Sequence, residues 1–425
     1  MNNPRLELVA DFYEYTMANG YFNKNMQDRI AYFDVFFRKV PDEGGYAIVA
    51  GLEQIINYIR NLSFDEEDIS YLRKQNKFSE EFLSYLENFR FTGDIWAIPE
   101  GTVVFPNEPL ITVKAPIIQA QLLETMLLLT TNHQSLIATK TSRIVKEAQG
   151  RPVMEFGARR AHGINAAVEG ARAAIIGGAV GTSCTLSAKE FNVPASGTMA
   201  HSWIQSFESE YEAFKAYAEL YPEDCTFLID TYNTIESGLP NAIKVFNEVL
   251  KPKGYRPKAV RLDSGDLAYL SKKVRKILDE AGYEDCKICA TNSLDEYLIK
   301  SLIEQDAKID LFGVGENLIT AKSEPVFGGV YKLVALEKDK KIVPKIKVSE
   351  NTAKVTNPSF KKVYRFYDNE TKKAIADVIT LADEIIDERE YMIFDPQNPW
   401  KKKVLKDYSI RLLQEKIFEE RKINI

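Results

Sequence analysis

The run Gly197-Thr198-Met199-Ala200-His201-Ser202-Trp203 puts one of the chain's three histidines after a short apolar segment, among small residues. A titratable imidazole with little bulk around it can reach a phosphoryl group, although a structural histidine in the same place is also consistent. Four other segments carry groups suited to anions. They are Glu155-Phe156-Gly157-Ala158-Arg159-Arg160-Ala161-His162, Asp230-Thr231-Tyr232-Asn233, Arg261-Leu262-Asp263-Ser264-Gly265-Asp266 and Phe312-Gly313-Val314-Gly315. Phe156 with Arg159 suits a planar ring beside a negative charge, or is a core ring with a surface cation. Arg261 and Asp263 alternate on one strand and so face the same side. Together they could hold a carboxylate while the Asp orders a ribose hydroxyl or hydrated Mg²⁺; a structural ion pair is the alternative. Asp230 and Thr231 add a carboxylate and a hydroxyl, and the Gly313–Gly315 loop offers backbone amides to a phosphate.

These groups need elements to position them. After Gly150, apolar strands are expected near 153–157, 179–184, 196–200, 226–230, 259–263, 287–291 and 309–313. Helices are expected between them, over 163–176, 208–221, 237–250, 266–281 and 294–305. Alternation at about 30-residue spacing implies parallel strands with right-handed crossovers. Seven or eight such units suit a closed α/β barrel better than a doubly wound sheet, since no GxGxxG opens a helix. Each candidate group then falls at a strand's C-terminal end.

Residues 1–150 read as an N-terminal α+β domain. It has an amphipathic opening (Leu8, Phe12, Tyr15, Met17), a strand over 31–38, helices to residue 88, a small Pro- and Gly-punctuated β module and a long linking helix over 117–148. Residues 151–335 are the barrel. Residues 336–425 form a tail of Lys-rich strands (345–348 and 362–366) and a last helical stretch, expected to pack on the N-terminal domain.

Composition narrows the function. A net charge of −6 argues against bulk electrostatic binding of nucleic acid, so any phosphate site is local. The apolar run 122–131 contains Glu124 and is too short to span a bilayer, so no membrane association is expected. The first residues lack a signal pattern, and four cysteines suit a reducing cytoplasm. Cys286-Lys287-Ile288-Cys289 lies in an apolar alternation that reads as a buried strand, and a structural zinc would need two more ligands. Gly177-Gly178-Ala179-Val180-Gly181-Thr182-Ser183 lacks the Lys of a P-loop.

These motifs, in this order, resemble the nicotinate phosphoribosyltransferases, from Asp11-Phe12-Tyr13-Glu14 through Gly329-Val330-Tyr331-Lys332-Leu333. The resemblance implies an irregular, TIM-like α/β barrel of the type II phosphoribosyltransferase kind, with an N-terminal α+β domain. It implies synthesis of nicotinate mononucleotide from nicotinate and phosphoribosyl pyrophosphate, the first reaction of NAD salvage from nicotinate. ATP is the implied co-substrate, hydrolysed through a phosphohistidine at His201, with Mg²⁺ accompanying the phosphates. A homodimer with shared active sites is also implied: Tyr13 matches the tyrosine that stacks on the pyridine ring from the other subunit, opposite Phe156.

Thr198 and Arg261 match positions that hold the nicotinate carboxylate. Arg159, Asp263, Gly313 and Gly315 match contacts to phosphoribosyl pyrophosphate, and Glu316 stands where many members have a hydroxyl residue. Nicotinamide phosphoribosyltransferases carry an Asp where Thr182-Ser183 stands here. An Asp accepts from an amide NH₂ but repels a carboxylate, so Ser183 favours the acid. Asp230 and Asp263 are the expected catalytic carboxylates, and Thr182, Ser183 and Thr231 are expected to meet substrate. Alternatives are a nicotinamide or quinolinate phosphoribosyltransferase and a non-catalytic barrel that binds pyridine nucleotides.

Overall fold

A computed structural model describes residues 6–348, 356–387, 389–396, 398–419 and 422–423. The chain forms two compact units, one of residues 1–135 with 326–425, the other of residues 136–325.

In the second unit the alternation after Gly150 becomes a parallel sheet. Its order is Val153–Glu155, Leu311–Val314, Lys287–Ala290, Ala259–Leu262, Thr226–Leu228. Parallel strands buried on both faces should be continuously apolar; Phe227, Val260, Ile288 and Phe312 are indeed fully buried. Beyond Glu155 the pairing continues by single bridges to Thr182 and then Ala195. The strand expected over 179–184 thus shrinks to a bridge at Thr182, and the strand expected over 196–200 does not form, the bridge there lying at Ala195 just before it. Gly177, Gly178 and Gly181 favour turns, Pro194 has no N–H to donate, and the helix Thr185–Glu190 takes up the chain between them.

The strand order is the cyclic one a barrel requires, but no ladder among the described residues joins Ala195 to Thr226–Leu228. The fold is mixed α/β with a parallel sheet, and backbone pairing leaves it open at one seam.

Short polar residues start the crossover helices. Asp266 accepts from the Tyr269 N–H to cap Leu267–Glu280, and Asp295 accepts from the Leu298 N–H to cap Glu296–Glu304. Asn233 accepts from the Ile235 and Glu236 N–H groups ahead of Leu239–Val245. Lys140 is buried and donates to Glu296 at 2.8 Å and to Ser323 at 2.7 Å, which anchors the end of the long helix within this unit.

The first unit is built on an antiparallel sheet. Its order is Lys341–Pro344, Val330–Lys338, Ile30–Phe36, Ile111–Pro116, Asp94–Ala97, Glu415–Glu419 and Lys422–Ile423. Asp34 in its centre is buried but paired with Lys361 at 2.8 Å and accepts from Thr112. The expected linking helix breaks near Leu122 into Ile117–Gln121 and Glu124–Glu147.

Two expectations for the tail fail. The strand lies at Lys341–Pro344 rather than 345–348, and no helix occurs at the end of the chain among the described residues. Glu415–Glu419 instead pairs with Asp94–Ala97 and buries Ile417 and Phe418, so a sheet partner overrides local helical preference. Among the described residues, no helix is long and apolar enough to cross a membrane.

Candidate active site

Within the second unit, the C-terminal ends of the strands converge on one cluster of charge. Arg261 lies on Ala259–Leu262, with its side chain 16% exposed. A guanidinium so far removed from water needs partners. Its Nη2 donates to Asp263 Oδ1 at 2.9 Å and its Nε donates to Thr291 Oγ1 at 2.9 Å. Nη1 makes only long contacts, 3.4 Å each, to Thr198 Oγ1 and the Met199 carbonyl. The Arg261 guanidinium carbon stands 6.0 Å from the centre of the Phe156 ring. These contacts reach across the seam that backbone pairing leaves open.

Asp263 is the second hub. The Thr291 hydroxyl donates to its Oδ1, and His201 Nε2 lies 3.6 Å from its Oδ2. Burial pushes this carboxyl up, but the Thr291 hydrogen bond, the Arg261 charge and hydrogen bond, and His201 outweigh it and hold it below the ordinary aspartate value. Asp230 supports the loop from below: its Oδ2 accepts from the Asp263 N–H at 2.8 Å and the Ser264 hydroxyl at 2.6 Å. Its Oδ1 is buried without a hydrogen-bond partner. His201 opens the helix His201–Gln205, and its Nδ1 lies 3.1 Å from Thr231 Oγ1. Asp230, Thr231, Asp263, Arg261, Thr198 and His201 therefore form one connected set.

Phe156 follows Val153–Glu155 and is half-buried. Its seat depends on Gly313, where an added Cβ would lie 2.5 Å from the Phe156 ring and 2.7 Å from the Thr291 methyl. Gly313 is buried and is packing space for that ring; Gly315, half-buried, is the more accessible of the two glycines. Thr182 is fully buried, donating to Glu155 Oε2 at 2.6 Å and accepting from the Cys184 N–H at 2.9 Å. Glu155, held above the ordinary carboxylate range by burial, also accepts from the Gly157 N–H. Ser183, next to Thr182, is exposed.

Arg159 is exposed near the same edge. Glu316 pairs with Lys322 at 2.8 Å and approaches Arg160 at 3.7 Å. The Lys322 hydrogen bond, then its charge, hold the Glu316 carboxyl below its usual value. Asn233 and Asp266, which the sequence groups with the anion-binding motifs, are spent on helix caps. Cys286 and Cys289 lie at a buried strand, and burial pushes both thiols up to about 12.

Tyr13 belongs to the first unit, on the helix Phe12–Asn23, and is 43% exposed. Burial of its hydroxyl, then the Glu124 charge and hydrogen bond, raise its pKa. Val9, Phe12 and Met17 are exposed on the same segment, whereas Tyr15 is buried.

Three residues of the site escape the sequence reading. Thr291 follows Lys287–Ala290, a strand noticed for its cysteines, yet a hydroxyl at that strand end obeys the same positional rule as Asp230 and Asp263. Glu155 and Ser264 lie inside the quoted motifs, but their roles depend on spatial neighbours that spacing does not reveal.

The lowered pKa of Asp263 has a measurable consequence. Its pairing stabilises the fold fully above the unfolded-state value, near 3.8, and is lost as pH falls through the lower folded-state value. The stability difference between the protein and its Asp263→Asn variant should be constant just above about pH 5 and narrow below about pH 4. Denaturant unfolding at a series of pH values measures it, and a difference that grows on acidification would contradict the pairing.

Comparison with known proteins adds the chemistry. Residues 152–380 match the nicotinate phosphoribosyltransferase (NAPRTase) family, 8–132 its N-terminal domain and 360–424 its C-terminal domain. A nicotinate phosphoribosyltransferase of Bacillus subtilis is 46% identical over 416 residues, covering 98% of this chain and 84% of that protein. One from Caenorhabditis elegans is 36% identical, covering 89% and 76%. The crystal structure of human nicotinic acid phosphoribosyltransferase superposes with a TM-score of 0.86 at 26% identity, covering 98% of this chain and 90% of that one. With its motifs in order and its fold matched nearly end to end, this chain belongs to the nicotinate phosphoribosyltransferase family.

Proposed function

We propose that this enzyme transfers the phosphoribosyl group of phosphoribosyl pyrophosphate to the ring nitrogen of nicotinate, giving nicotinate mononucleotide and pyrophosphate. Family membership supports the reaction, and one observation carries the acid specificity: Arg261 is clamped by Asp263 and Thr291 with its Nη1 turned toward Thr198, beside the Phe156 ring. In this reading the pyridine stacks on Phe156 and its carboxylate accepts from Arg261 and Thr198, with Ser183 nearby. The ring nitrogen then attacks the anomeric carbon as the C–O bond to pyrophosphate breaks, and holding both reactants in line supplies much of the acceleration. Arg159 and the amides around Gly315 stabilise the departing charge. Glu316 sets the placement of Lys322 and Arg160 beside them.

Asp230 and Asp263 fit Mg²⁺ in the manner usual for that ion, through one or two carboxylates plus substrate phosphates, and the unpartnered Asp230 Oδ1 is the oxygen suited to it. When bound, Mg²⁺ supplies charge neutralisation for the leaving pyrophosphate. Asp230 meanwhile keeps the Asp263 loop in place.

ATP enters as the phosphoryl donor. His201 attacks the γ-phosphorus through a ring nitrogen and releases ADP; water later takes the phosphoryl group and releases phosphate. The Thr231 and Asp263 contacts on its two nitrogens orient the ring for this step. The new dianion beside Asp263 would repel it and reorganise the pocket, coupling hydrolysis to product formation. The functional unit in this reading is a homodimer. Support comes from the exposed apolar face of Val9, Phe12, Tyr13 and Met17, which a second subunit would cover while Tyr13 closes over the pyridine. Four cysteines, none in a disulfide, suit work in the cytoplasm.

Charge-assisted hydrogen bonds to the carboxylate are worth roughly 1.5–3 kcal/mol each, so nicotinamide should be a poorer substrate by about tenfold or more. Steady-state kinetics with both pyridines test this, and Arg261→Ala should weaken nicotinate far more than nicotinamide. Equal kcat/KM for the two would remove the acid assignment. Incubation with γ-labelled ATP should give an acid-labile label that His201→Ala abolishes; undiminished label in that variant would place the phosphoryl group elsewhere. Tyr13→Ala and His201→Ala chains, each nearly inactive alone, should recover up to about a quarter of the normal activity after subunit exchange. No recovery despite verified exchange would mean that each site is built within a single chain.

A further inference from the structure

Thr291 lies outside the sequence motifs, and the proposed chemistry gives it no part beyond its contact with Arg261. It is buried, 2% exposed, where Lys287–Ala290 ends, and it touches both charged members of the candidate pyridine site, Arg261 and Asp263. Its Oγ1 accepts from Arg261 Nε at 2.9 Å. The same hydroxyl donates to Asp263 Oδ1, with the Leu262 carbonyl at 3.3 Å as a second acceptor. Its methyl lies over Gly313, in the space that the Phe156 ring also borders.

A guanidinium is a planar fork, and fixing Nε together with one Nη fixes the direction of the other donors. Asp263 alone holds Arg261 at a single Nη2 contact and leaves the plane free to swing about that bond. Adding Thr291 at Nε gives the second point of attachment. The hydroxyl is suited to this because it is neutral and bifunctional, accepting from the cation and donating to the anion at once. A carboxylate there would neutralise the cation, and a methyl would satisfy neither partner. The backbone holds the device in register: Leu262 pairs with Ala290 and the Thr291 N–H donates to the Leu262 carbonyl at 2.9 Å.

We infer that Thr291 is a positioning residue for substrate selection, whose hydroxyl orients the Arg261 guanidinium so that Nη1 and the remaining Nη2 proton present to a carboxylate. It acts through Arg261 and does not itself meet substrate. The inference rests on the assignment of nicotinate to this site.

The test compares Thr291→Val, which keeps the shape and methyl, with Thr291→Ser, which keeps the hydroxyl. Thr291→Val should raise KM for nicotinate about tenfold and lower the nicotinate-to-nicotinamide preference by a similar factor, with kcat changing less. Thr291→Ser should stay within about threefold of the parent on both measures. Thermal unfolding of each variant separates this pattern from general destabilisation. If Thr291→Val does not fold, Thr291→Ala takes its place with the same expectation. A Val variant with unchanged preference, or Val and Ser variants equally impaired, would overturn the inference.

A readout that needs no turnover separates this failure from failure of the nicotinate assignment. The Arg261 Nε–H resonance should be shifted in Thr291→Val and retained in Thr291→Ser. A parent protein that uses neither pyridine would refute the assigned reaction and the selection role with it. An Nε–H signal indifferent to both substitutions would refute the positioning alone.

Discussion

A guanidinium withdrawn from water at a strand end sets the terms for everything around it. Arg261 needs an anion, and Asp263, two residues on and just past the end of the strand, supplies it at 2.9 Å. That anion is itself half-buried, and one arginine does not satisfy two carboxylate oxygens. Thr291 and His201 approach from neighbouring segments, and Asp230 secures the backbone of Asp263. Each partner recruits the next, so one unfavourable burial becomes a network spanning three strand ends and the start of the His201 helix. The coupling also makes the site register-dependent. Leu262 faces Ala290 across the parallel ladder, and slipping that pairing by one residue would turn the Thr291 hydroxyl away from Arg261.

The network closes only because backbone can approach backbone and ring. At Gly238 an added Cβ would lie 1.8 Å from the Ile229 carbonyl oxygen, so the crossover after Asp230 packs against the strand end only without a side chain there. Gly313 makes room for Phe156 and the Thr291 methyl, and Gly157 lets the turn after Phe156 settle against Ile319. Their service here is close approach rather than unusual torsion, since none of the three has a positive φ. The aromatic and ionic halves of the site are thereby brought within 6.0 Å of each other.

Much of this was legible from sequence because a parallel α/β sheet ties position to chemistry. The alternation after Gly150 located five strands and their helices, and polar residues at strand ends marked Asp230, Arg261 and Asp263. What stayed hidden depended on partners distant in sequence. Thr182 reads as a ligand group beside Ser183, yet its hydroxyl is committed to Glu155, 27 residues away. Asn233 and Asp266 have anion-binding chemistry but serve helix caps, a use that the same residue types make equally well. The tail was misread for a related reason: a last helical stretch was expected there, while the open edge of Asp94–Ala97 offered Glu415–Glu419 a strand partner 318 or more residues upstream. The seam near residues 195–200 was also beyond periodicity, since glycine and proline limit pairing there without abolishing the strand order.

The seam bears on selectivity in the proposed reading. A closed ladder would bury the segment bearing Thr198 in backbone pairing; here Arg261 reaches it through long contacts of 3.4 Å. Contacts of that length are weak in the resting protein and can be exchanged for a carboxylate at little cost. An amide in the same place brings an NH₂ that needs an acceptor, and the carboxylate oxygen that holds Arg261, Asp263 Oδ1, already takes donors from both Arg261 and Thr291. Around Arg261 the site thus offers donors in surplus, while the acceptor beside them, Asp263 Oδ1, is already engaged. That imbalance, rather than the arginine's charge alone, is what separates an acid from its amide.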